Sequence, residues 1–130
     1  MSTIFSKIID GSIPAYKIAE DDNFLAFLDV FPLREGHTLV IPKQEVDCIF
    51  DLDDDTYQKL WLFSKKVAHA IGKAIPCTKV GTAVVGLEVA HAHIHLIPMN
   101  AVSDMDFSQP KAKFSPEQFE SAAAKIKAQL

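Results

Sequence analysis

His91-Ala92-His93-Ile94-His95-Leu96-Ile97 is the stretch on which the reading of this chain turns. Along an extended strand successive side chains point to opposite faces, so a spacing of two places all three imidazoles on one face and Ala92, Ile94 and Leu96 on the other. The interleaved apolar residues mark a largely buried strand, and buried imidazoles require hydrogen-bond partners. Only five histidines occur in 130 residues, so three of them in this row is more than composition supplies.

Working outward, the run His93 to Met99 reads as a strand, and Lys79 to Val85 as a partner ahead of it. Between Asp53 and Ile75, Tyr57, Leu60, Trp61, Ser64, Val67, Ala68 and Ile71 recur at helical spacing, with acidic residues in the first turn where the helix dipole favours them. Further upstream, Tyr16 to Glu20 and Phe24 to Leu28 form two strands about the turn Asp21-Asp22-Asn23, and His37 to Ile41 forms a third that Pro42 ends. Ser2 and Thr3 offer capping oxygens to a short helix over Ile4 to Ile9 that Asp10 and Gly11 terminate. Downstream, Ala101 to Lys113 reads as a loop, and Ser115-Pro116-Glu117-Gln118 is a helix start with a capping-box glutamine. The pattern predicts an α+β fold, a five-stranded antiparallel sheet with flanking helices, in one domain spanning 1–130.

Thirteen basic residues against seventeen acidic ones give a net charge of -4. That balance leaves no cationic surplus to displace the counterions of a nucleic acid, so no nucleic-acid partner is expected, although a single nucleotide in a local pocket is compatible. No apolar run approaches the roughly 18 residues of a membrane span, and no basic-then-apolar leader opens the sequence. No membrane partner and a cytoplasmic location are therefore expected. Cys48 and Cys77 are far apart, outside any Cys-x-x-Cys spacing, and read as core-filling thiols.

Two chemistries suit the histidine row. His-x-His on a strand can hold a metal such as zinc, with a third ligand from elsewhere. Alternatively, a neutral imidazole whose second nitrogen is held by an acceptor can attack phosphorus, while its neighbours bind the phosphate oxygens.

The row resembles the motif of the histidine triad (HIT) family. The resemblance continues through Ile4-Phe5-Ser6-Lys7-Ile8-Ile9, Ile13-Pro14, Glu20-Asp21-Asp22, Leu25-Ala26-Phe27-Leu28-Asp29 and Gly36-His37-Thr38-Leu39-Val40-Ile41-Pro42-Lys43, covering residues 3 to 100. It implies a nucleotide hydrolase or nucleotidyl transferase acting at the α-phosphate of purine nucleoside monophosphate esters, amidates or anhydrides. His93 would be the nucleophile that forms a covalent nucleotidyl-histidine. His91 would lie by the phosphate and leaving group, His95 would shape the phosphate site, and His37 would contact the nucleophile's surroundings. Asp29 matches the family's ribose-binding acid, and a carboxylate can accept hydrogen bonds from both ribose hydroxyls. Phe5, Ile8 and Phe27 match its apolar clamp on the base. A homodimer with joined sheets is also implied. His69 matches no functional position.

The sequence departs from the family pattern just ahead of the triad. Many members carry Gln followed by Ser or Thr there, whereas this chain has Gly86-Leu87-Glu88-Val89-Ala90, and Thr82-Ala83-Val84-Val85 lacks the frequent Asn. Leu87 cannot donate a hydrogen bond, and Glu88 is a candidate general acid for the leaving group. Where some members hold structural zinc through a Cys-x-x-Cys near the start and a His after the Pro-Lys, Ser6 and Glu45 stand here. No metal and no cofactor are expected. Two other readings remain open: a nucleotide-sensing protein with weak turnover, and a metal-dependent hydrolase using His91, His93 and His37.

Overall fold

The computed structural model describes residues 3–130. Its elements run α1 (Ile4–Ile9), β1 (Lys17–Glu20), β2 (Phe24–Leu28), β3 (Thr38–Pro42), α2 (Asp54–Ala74), β4 (Lys79–Ala83), β5 (Ile94–Met99) and α3 (Pro116–Lys127), with single 3-10 turns at Ile49–Asp51 and Val102–Met105. The five strands make one sheet of order β1-β2-β3-β5-β4 in which every neighbouring pair is antiparallel. This is the expected architecture.

Local chemistry explains the boundaries. Thr3 Oγ1 accepts the Ser6 N–H and starts α1, while Gly11, at φ +85°, turns the chain away from its end. Ser2, the other expected cap, lies outside the described residues. Asp21 Oδ1 accepts the N–H groups of Asn23 and Phe24, at 2.8 Å each, which closes the first hairpin. Asp53 caps α2 through the Thr56 N–H, and Ser115 and Gln118 cap α3 reciprocally.

The sheet buries both faces, so β2 and β3 carry no exposed position at all. On one face Phe24, Ala26, Leu28 and Val40 pack with Leu60, Val67, Ile71 and Ile126 from α2 and α3. Ser64 sits buried in the α2 stripe because its hydroxyl donates to the Leu60 carbonyl. On the other face Leu25, Phe27, Leu39 and Ile41 meet Phe5 and Ile8 of the short α1, with Ile13, Ala15 and Val89 partly buried against them. That face is less completely covered, and the functional cavity opens on it.

Three expectations are corrected. The histidine row is not wholly strand, since β5 begins at Ile94 and leaves His91 and His93 in the segment that leads into it. Ala92 donates its N–H to Val46 rather than to a sheet neighbour, although the rings of His91 and His93 both meet Phe5 edge-on. For the same reason β4 stops at Ala83 instead of Val85, because the ladder ends where its partner strand starts. The cysteines do not fill the core: Cys48 is exposed beside a surface 3-10 turn and Cys77 is half-buried in the connection into β4.

Gly36 supports the site from below. Its φ is +89°, and an added Cβ would lie 2.9 Å from Ile75 Cγ1 and 3.2 Å from Pro98 Cγ. Left-handed backbone strain and overpacking act together here, so Gly36→Ala is expected to lower unfolding free energy by roughly 3 kcal/mol. Urea denaturation checks this; a loss below 1 kcal/mol, taken as about the cost of ordinary surface change, would refute it.

Candidate functional site

Strand register builds the floor of the site. Phe27 of β2 pairs with Leu39 of β3, and Leu39 with His95 of β5, so the three form one row on the incompletely covered face. Asp29 follows directly after β2, and His37 directly precedes β3. Helix α1 adds Phe5 and Ile8 above this row. Together these residues line a mostly apolar cavity of about 470 Å³ whose polar groups include Asp29, His37, His93 and His95. An apolar cleft of this size with a few converging polar groups is the usual form of a small-molecule site.

The imidazoles are ordered by a chain of hydrogen bonds that fixes where each proton resides. The Leu33 N–H donates to His37 Nδ1 at 3.0 Å, so that nitrogen carries a lone pair. Burial above all, with the nearby Lys111 charge second, pushes the His37 pKa down to about 4. A neutral His37 then holds its proton on Nε2, which lies 2.9 Å from His95 Nδ1 and donates to it. His95 is likewise held neutral: burial first, then the proximity of His37 and His93, brings its pKa to about 3. Its remaining proton must therefore sit on Nε2, a donor without a protein partner among the described residues.

His93 is fixed differently. Its Nδ1 lies 2.7 Å from the His91 carbonyl oxygen, which can only accept, so Nδ1 carries the proton. A neutral His93 then has its lone pair on Nε2, for which no protein donor is found among the described residues. Phe5 stands edge-on to this ring at 5.0 Å, and the His95 ring lies 5.1 Å away. The result is a lone pair on one imidazole beside an N–H on the next.

His91 does not line the cavity. Its Nε2 donates to the Pro42 carbonyl at 2.8 Å and its Nδ1 accepts from the Thr3 hydroxyl at 3.0 Å, so both ring nitrogens are committed to protein. Burial lowers its pKa, and the bond to Pro42 opposes that shift. Thr3 Oγ1 also accepts the Ser6 N–H, and the Ser6 hydroxyl donates to Glu45, whose carboxyl it holds below the usual carboxylate range. Sequence reasoning marked Ser6 and Glu45 by what they replace and missed Thr3, although its place three residues before Ser6 was a signal. Two hydroxyls, one carboxylate and an imidazole already bonded on both sides do not fit a zinc site.

Asp29 is half-buried and divided in its roles. One carboxylate oxygen accepts the Phe31 N–H at 2.9 Å, as a turn residue does, while the other lies 3.6 Å from His37 Nε2 and faces the cavity. Among the described residues, Asp29, His37 and His95 are the group close enough to share a metal ion. The set His91, His93 and His37 expected for a metal hydrolase is not gathered, because His91 and His93 turn their Nδ1 atoms to Thr3 and to backbone. Glu88 is exposed on the cavity rim, next to Leu87, which is 89% exposed. His69 is exposed on α2, away from the site.

Phe107 and Lys111, which the sequence reading placed in an undifferentiated loop, also line the cavity. Phe107 packs edge-on to His95 at 4.8 Å, and the Lys111 ammonium lies 5.6 Å from the Phe107 ring centre.

The family model described as HIT domain matches residues 10–102, more than two-thirds of the chain. The adenosine 5'-monophosphoramidase hnt1 of Schizosaccharomyces pombe is 34% identical over 132 residues, covering 100% of this chain and 99% of that protein. Among solved structures, a Hit-like protein involved in cell-cycle regulation from Bartonella henselae superposes with a TM-score of 0.85 at 31% identity, over 99% of this chain and 97% of that one. A zinc-bound histidine triad protein from Mycobacterium smegmatis superposes at 0.81 with 27% identity, over 99% and 93%. With its sheet, its histidine row and its flanking segments all matched along nearly the whole length, the chain belongs to the HIT family.

Proposed function

We propose that this protein is a nucleotide hydrolase or nucleotidyl transferase whose nucleophile is His93. The observation that carries the reading is the fixed proton on His93 Nδ1, which leaves an Nε2 lone pair at the cavity beside the His95 N–H. The similarity to a phosphoramidase supports the reaction class.

In the proposed reaction a purine nucleoside monophosphate ester, amidate or anhydride places its base against Phe5, Ile8 and Phe27 and its ribose hydroxyls on Asp29. His93 Nε2 attacks the α-phosphorus, the nitrogen–phosphorus bond forms, and the bond to the leaving group breaks with its electron pair. The imidazolium character that develops on His93 is stabilised by the His91 carbonyl against Nδ1–H, and His95 Nε2–H donates to a phosphate oxygen. Glu88, in the role of general acid, gives its proton to the leaving group. Water then attacks phosphorus, gives a proton back to Glu88 and releases the mononucleotide, restoring His93. His91 serves by position, through its carbonyl. We further propose that two copies join through their sheets to form a homodimer; β4 ends the sheet in this chain. No helix is long and apolar enough to cross a membrane, which is compatible with the proposed cytoplasmic location.

The test is steady-state hydrolysis of an adenosine phosphoramidate, a dinucleoside polyphosphate and a nucleotidyl sugar, with and without EDTA. Turnover of at least one substrate, unchanged by chelator, is expected. Loss of activity to EDTA would favour a metal on Asp29, His37 and His95 instead, and AMP binding without turnover would favour a sensor. Glu88→Gln should reduce the rate most for the poorest leaving group and flatten the pH profile; an unchanged rate and profile would remove Glu88 from the mechanism.

A further inference from the structure

The cavity is poor in positive charge. Its imidazoles His37 and His95 are held neutral by burial, and Asp29 and Glu88 are the carboxylates on its wall and rim. Lys111 is the one lysine or arginine among the lining residues. It comes from beyond the stretch that the family model matches, which ends at residue 102.

The segment that brings it there is held in place at several points. Asp104 accepts the N–H groups of Asn100 and Ala101 and pairs with Arg34 at 3.1 Å, and Arg34 also donates to the Pro98 carbonyl. Asp106 turns the chain by accepting the Ser108 N–H and hydroxyl, and the Ala112 N–H donates to the Pro32 carbonyl at 2.8 Å. Phe107 is thereby packed on His95. Lys111 is exposed, its Nζ donates to the Phe107 carbonyl at 2.7 Å, and no carboxylate lies within 4.0 Å of it among the described residues. Asp106, on which its charge acts, is engaged with Ser108.

We propose that Lys111 is the cation that receives the phosphoryl charge of the bound nucleotide, taking the place of the polar donor absent at Leu87. This inference rests on the nucleotide reading above. A lysine ammonium on a flexible stem is suited to following a phosphoryl group as a point charge, and one held only by a carbonyl is released without breaking an ion pair. Phe107, whose carbonyl holds Lys111, packs on His95, the imidazole that donates to phosphate in the proposed reaction.

Isothermal titration of wild type, Lys111→Met and Lys111→Arg with AMP and with adenosine tests this. Lys111→Met is expected to weaken AMP binding about tenfold, the scale of a partly exposed charged contact, and to leave adenosine within about twofold. Lys111→Arg should keep most of the AMP affinity, and raising the salt concentration should weaken AMP binding less in Lys111→Met than in wild type. Unchanged AMP affinity in Lys111→Met overturns the proposal, as does equal weakening of AMP and adenosine, which would make the residue a wall of the nucleoside pocket. Wild type that binds adenosine as tightly as AMP overturns it while sparing the nucleoside site. Wild type that binds neither overturns the nucleotide reading, and this inference with it.

Discussion

Replacing His93 with alanine is expected to lower kcat at least about a thousandfold while AMP affinity changes less than about tenfold. The asymmetry follows from the geometry. In the proposed reaction the base and ribose contacts belong to Phe5, Ile8, Phe27 and Asp29, which line the cavity with His93, whereas His93 contributes the attacking lone pair, an interaction made only as the reaction proceeds. Alkaline quenching during turnover should trap a mononucleotide on the wild-type chain through a nitrogen–phosphorus bond, and none on His93→Ala. A variant that retains a tenth of wild-type kcat, or a trapped adduct that maps to another residue, would assign the nucleophile elsewhere.

The second large effect is on stability. His37 and His95 have folded pKa values of about 4 and about 3, against 6.5 for a free imidazole. Between those limits the unfolded chain binds a proton that the folded chain refuses, so unfolding becomes more favourable as pH falls below 6.5. Each imidazole should cost about 2 kcal/mol between pH 7 and pH 5, with the loss continuing toward pH 4 and then levelling for His37. This window isolates the histidines, because the carboxylates held low by hydrogen bonds, such as Asp104 and Asp53, act only at more acid pH. Urea unfolding at pH 7, 6 and 5 measures the slope, and the double variant His37→Asn, His95→Asn should reduce it, leaving the contribution of His91, whose pKa burial also lowers. A wild-type profile level across that range would show that the imidazoles are not held neutral.

The sheet, the long helix and both helix caps were legible in the sequence because each rests on local chemistry: the apolar stripe from Leu60 to Ile71, the Asp21 turn, the Ser115 and Gln118 cap. Of the residues that the resemblance implied, His37, His93, His95, Asp29, Glu88, Phe5, Ile8 and Phe27 line one cavity, and His91 does not. The orientation of His91 was not legible. Alternation predicts a ring beside its neighbours only if the strand continues, and Val46 and Pro42 draw that segment off the ladder. Phe107 and Lys111 were equally hidden, since their approach depends on Arg34 meeting Asp104, seventy positions away, and on Pro32 meeting Ala112. Contacts of that range leave no period in a sequence.

One face of the sheet is sealed by two long helices, and the other only in part, by the six residues of α1 with Ile13, Ala15 and Val89 beside them. The second apolar cluster is therefore a core with a piece missing, and the gap has the size of a small molecule. Whatever apolar group enters it completes the packing that the chain leaves unfinished, so the occupant acts as a removable part of the interior. Binding and folding then draw on the same surface, and an occupied protein resists unfolding in proportion to how well its guest fills the place.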